Sequence, residues 1–157
     1  MSRPISPRKK EKLRLFFTGE IERKANLMKN KLNQELPDRY YCTLGSVSYV
    51  NTRNTIKNSG HVSDPTGSRA TDIADIILRR KRAYNYYSSL LETIKIVTAK
   101  LTENQLYLTK IYVEVIEGTI TKGAEELGFS YTKAQKELRY ALKLYDKKIP
   151  EVFYYKK

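Results

Sequence analysis

The run from Ala70 to Leu101 constrains the fold more than any other part of the chain. Its apolar residues, Ala70, Ile73, Ile77, Tyr84, Tyr87, Leu91, Ile94 and Leu101, follow a seven-residue repeat whose missing members fall at Arg80 and Thr98. Before it, Ser63-Asp64-Pro65-Thr66 reads as a helix start, with Asp64 as cap and Pro65 as first helical residue. A helix over residues 68–101 is on the order of 50 Å long at about 1.5 Å per residue, and an apolar stripe of that length has to be covered. Three partners can cover it: the N-terminal helix folding back, the C-terminal unit, or the same helix of a second chain in a homodimer.

The flanking segments are helical by the same reasoning. Residues 8–34 place Leu13, Phe17, Ile21, Ala25, Met28 and Leu32 three or four apart, which is one stripe of a helix weakened by Gly19 and ended by Pro37 and Asp38. Residues 1–36 therefore read as a basic amphipathic N-terminal helix. Residues 37–67 are polar and turn-rich, a linker in which Tyr40-Tyr41-Cys42-Thr43 makes a short strand or a packed aromatic loop; no partner strand is visible. Thr102 with Gln105 three residues on makes a capping box, so a helix runs over 103–117 with Leu108, Ile111, Tyr112 and Val115 inward and Gly118 at its end. Two more follow at 120–127 and 131–146, parted by Gly128-Phe129-Ser130, so 102–148 forms one unit. The tail, 149–157, is apolar enough in IPEVFYY to pack against that unit or a partner. The expected fold class is all-α.

Charge decides which partners suit such a chain. A formal net charge of +13 fits a polyanion, nucleic acid first and an anionic membrane surface second. The excess is heaviest at the front, 10 basic against 4 acidic residues in 1–36, and slight in 102–157, at 10 against 8. Any cationic surface near the C-terminus must therefore come from placement. The Arg8-Lys9-Lys10 cluster reads either as a phosphate grip or as a solubilising tail. No window approaches the roughly 18 apolar residues of a membrane span, and the start MSRPISPRKK lacks a signal-peptide core, so a cytoplasmic protein is expected.

Placement can be read from the last helix. Taking Ala134 as zero and about 100° per residue, Leu138, Ala141 and Tyr145 fall within about 40° of it and Leu142 at about 80°. Opposite lie Thr132, Lys136, Arg139, Tyr140 and Lys143, with no carboxylate among them and Glu137 off to one side. Ala124 and Gly128 sit four apart, as a close helix pair joined by a glycine turn requires, and Ser130 can cap the second helix. This is a helix-turn-helix pattern, and its outer face suits the major groove of double-stranded DNA. The expected DNA-binding residues are Ser130, Tyr131, Thr132, Lys133, Lys136, Arg139, Tyr140 and Lys143. The plainer alternative is a solvated surface helix.

Residues 101–146 resemble the helix-turn-helix of the fourth region of bacterial sigma factors in Ala124, Gly128, Ser130 and the pair Ala141-Leu142. Ala134 stands where a branched aliphatic residue is usual, and Glu137 where an apolar one is often found. With the Ser63-Asp64-Pro65-Thr66 start and the long middle helix added, residues 63–146 look like the RinA-type family of bacteriophage late-transcription activators. That resemblance implies sequence-specific DNA binding near a late promoter, help for host RNA polymerase, and a place in the cytoplasm of the host bacterial cell.

Catalysis is not expected. Asp64-Pro65-Thr66-Gly67-Ser68 lacks the lysine and spacing of a P-loop, and Cys42 and His61 are each single, which leaves no disulfide and no zinc-ligand spacing. No cofactor and no metal are implied. A small terminase subunit for phage DNA packaging also joins a helix-turn-helix to long oligomerising helices, and is the alternative function; a pure protein-binding module is a third.

Overall fold

The computed structural model describes residues 5–34, 36 and 65–150. The linker expected between them, with Tyr40 to Thr43, Cys42, His61 and Asp64, lies outside the described residues, as does the tail beyond Pro150. Among the described residues there are six helices and no strand: α1 (Pro7–Phe17), α2 (Glu20–Asn33), α3 (Pro65–Thr98), α4 (Glu103–Tyr112), α5 (Ile120–Glu126) and α6 (Tyr131–Lys148). The chain is all-α, with a long central helix. These residues fall into two compact units, one of 5–27 with 84–150 and one of 28–34, 36 and 65–83.

The single N-terminal helix expected from the stripe is two helices. Ser6 starts the first, its hydroxyl accepting from the Lys9 amide at 3.4 Å, and Gly19 at φ +79° ends it. At that φ the Gly19 amide reaches the Phe16 carbonyl, and its own carbonyl then accepts from Arg23 in the next helix. The apolar stripe survives the break, since Leu13, Ile21 and Ala25 are all buried.

The seam of α3 also differs from the expected repeat. Leu90, Ile94 and Val97 are buried, with Leu101 just past the helix; Ile73, Ile76, Arg80, Ala83 and Tyr87, which continue their three-and-four spacing, are half-buried, while Ile77 is 48% exposed. Each polar residue that interrupted the repeat has a partner. In the second unit, the Arg80 guanidinium donates to the carbonyls of Lys31 at 2.8 Å and Gln34 at 3.1 Å, satisfying orphan acceptors at the end of α2. In the first, the Thr98 and Tyr145 hydroxyls share a hydrogen bond of 2.8 Å. Leu90, Ile94 and Val97 enter one core with Leu13, Ile21, Leu108, Leu138 and Leu142, so the C-terminal half of α3 is covered by both ends of its own chain.

Two left-handed residues set the geometry of the last three helices. Helix α4 stops at Tyr112, five residues before the expected end at 117, because Glu114 takes φ +65° and sends the Val115 amide back to the Lys110 carbonyl at 3.0 Å. Gly128 at φ +67° does the same after α5, where the Phe129 amide reaches the Ala124 carbonyl at 2.8 Å. Both turns tuck an apolar residue, Val115 or Phe129, against the core.

Helix α5 lies close on α4 at Gly123, which the sequence reading passed over in favour of its neighbour Ala124. A Cβ on Gly123 would sit 2.6 Å from Ile111 Cδ1. That methyl is the end of a rotatable side chain, so Gly123→Ala should stay within about 1 kcal/mol of the parent, helped by alanine's helix propensity. Gly123→Leu should lose about 2–3 kcal/mol in urea unfolding, because a branched side chain has no space there.

Candidate nucleic-acid interface

Helix α6 is positioned from three directions. Ser130 caps its start, the hydroxyl accepting from the Lys133 amide at 3.3 Å. Along its inner face Ala134, Leu138, Ala141, Leu142 and Tyr145 are buried, the stripe expected from the sequence, and Ile149 continues it past the last turn. At its far end Lys9 of α1 donates to both the carbonyl of Asp146, at 2.9 Å, and its carboxylate, at 2.8 Å. A cation on the last carbonyls of a helix also complements its dipole. Lys12 adds a bond to the Pro150 carbonyl at 2.8 Å.

The basic front of the chain thus has work inside the unit. Lys9 keeps only 12% of its side chain exposed, and Lys10 pairs with Glu114 at 3.0 Å while lying 5.1 Å from the centre of the Tyr112 ring. Lys10 holds the Glu114 carboxyl below its ordinary pKa, first through that hydrogen bond and then through its charge. Neither lysine serves as a free tail.

On the outer face Thr132, Lys133, Lys136, Arg139 and Lys143 are exposed, with Tyr131 and Tyr140 about half exposed. Arg139 and Lys143 point away from the core. Three of the expected contact residues are partly committed elsewhere. The Ser130 hydroxyl is occupied by the cap, the Tyr131 hydroxyl accepts from the Gln135 side-chain amide, and the Lys133 ammonium lies 4.1 Å from the centre of the Phe129 ring.

Helix α6 carries only two carboxylates, and both are drawn away from this face. Asp146 is held by Lys9. Glu137 accepts from the Gln105 side-chain amide at 2.6 Å. Gln105 is itself buried, and its carbonyl oxygen accepts from the Thr102 amide at 3.1 Å, so the capping box of α4 extends into a tie that fixes α6. Glu137 thus supplies the acceptor for this buried amide. Six cations then remain exposed on the helix: Lys133, Lys136, Arg139, Lys143, Lys147 and Lys148. Among the described residues none of them forms an ion pair.

Chemically, such a ridge donates hydrogen bonds and attracts anions. Thr132, Lys136, Arg139 and Lys143 are spaced four, three and four apart, a row along one side of the helix. Comparison with protein families, curated proteins and solved structures gives no match to the chain.

Proposed function

We propose that the chain binds double-stranded DNA as a transcriptional regulator, with α5 and α6 as a helix-turn-helix and α6 as the helix that enters the major groove. One observation carries this reading: the row Thr132, Lys136, Arg139, Lys143 is exposed while both carboxylates of the same helix are held elsewhere. A merely solvated helix has no need to segregate its charge in this way. The short α5, the left-handed Gly128 and the Ser130 cap support the motif, since together they allow a second helix to stand clear of the first. The likeness of residues 63–146 to RinA-type activators extends the reading to late phage genes and host RNA polymerase.

Salt dependence is the direct test. Neutralising about four or five phosphates gives a slope of roughly −4 in a plot of log affinity against log salt concentration. Fluorescence anisotropy with a labelled duplex should show that steep fall. Absence of duplex affinity even at low salt would end the proposal.

A further inference from the structure

The hydrogen-bonding character of the α6 outer face goes further than the class of partner. In the major groove guanine offers two acceptors, N7 and O6; adenine offers an acceptor beside a donor; cytosine offers only a donor. Matching adenine therefore takes an amide side chain, and matching cytosine a carboxylate. Helix α6 has one amide and two carboxylates, and all three are engaged. The Gln135 amide donates to the Tyr131 hydroxyl at 2.5 Å, Glu137 holds Gln105, and Asp146 holds Lys9. What the early and middle turns present outward is the donor pair Lys136 and Arg139, with the hydroxyl of Thr132 before them.

We infer that the DNA read by this helix is marked by guanines, two of them, contacted by Lys136 and Arg139. The inference rests on the proposal that α6 enters the major groove. Three residues along a helix advance about 4.5 Å and one base step about 3.4 Å, so the two guanines stand about one or two steps apart. Thr132 contributes little discrimination, since its hydroxyl accepts or donates as the base requires. Lys133 is held over Phe129, and Lys143, two turns further on than Lys136, falls to the phosphates.

The test is selection from a randomised duplex library with the full-length chain, followed by anisotropy on the enriched duplex and the same selection with Arg139→Gln. The expected result is an enriched site with two nearby guanines, and a drop of roughly ten- to hundredfold when either is replaced by 7-deazaguanine. Arg139→Gln, an exposed substitution that leaves the fold alone, should move the preference at one of the two positions from guanine to adenine. An enriched site without guanines, or one that Arg139→Gln leaves unchanged, overturns the inference and spares the proposal of DNA binding. Tight binding with no enrichment does the same, because it means that phosphates alone are contacted. No affinity for any duplex overturns both.

Discussion

Reversing Lys136 and Arg139 to glutamate together should lower duplex affinity by on the order of a thousandfold and leave the melting curve where it was. Two favourable contacts of about 1–3 kcal/mol each are lost, and two negative charges are set against the phosphates. The fold should survive because both side chains are exposed and, among the described residues, neither is paired. Exposed substitutions of this kind stay within about 0.5 kcal/mol. Anisotropy and circular dichroism on the same samples separate the two effects. Binding at the parent's strength would show that the ridge is a solvated surface and nothing more.

Tyr145→Ala should have the largest effect on stability, a loss of about 4 kcal/mol. Tyr145 is fully buried, and its hydroxyl is bonded to Thr98 on α3, so truncation empties a large volume at the joint between α3 and α6. Against a total of roughly 5–15 kcal/mol, that loss brings the unit close to unfolding at room temperature. Tyr145→Phe keeps the volume and should lose only about 1 kcal/mol at neutral pH.

The two variants also differ in alkali. Burial pushes the Tyr145 hydroxyl up to about 12 from an ordinary value of 10.0, its bond to Thr98 acting slightly the other way. A raised folded-state pKa means that the unfolded chain loses the proton first. Stability is therefore whole below about pH 10 and drains away between about pH 10 and 12, by roughly 2–3 kcal/mol. Denaturant titrations should show this fall in the parent and a shallower one in Tyr145→Phe. Some slope should remain, because the bond from Tyr107 to Glu126 raises the Tyr107 hydroxyl in the same direction.

How much of this could be read in advance depends on how local each feature is. The Thr102 and Ser130 caps, the inner stripe of α6 and the left-handed Gly128 were all legible, since each is set by residues three to eight apart. The break at Gly19 was half legible, as a weakness in a stripe that continues past it. Glu114 carries no such signal, because a glutamate in the left-handed region cannot be told from any other until the turn is formed. Helix α3 was legible in part: Ile94 is buried and Tyr87 and Leu91 pack against the core, as the repeat required. Ile77 and Tyr84 repeat as well as Leu90 and Val97 do, and a period alone does not say how far round the helix the core reaches.

The sequence by itself determined that the chain is helical, where most helices start, and that the cations and the core residues of α6 lie on opposite sides. Backbone hydrogen bonding and a 3.6-residue period require only neighbours along the chain. The tertiary structure alone decided which groups hold the two carboxylates of that helix. It did so by bringing Gln105 to Glu137 across 32 residues and Lys9 to Asp146 across 137, pairings between groups whose sequence separation carries no periodic trace.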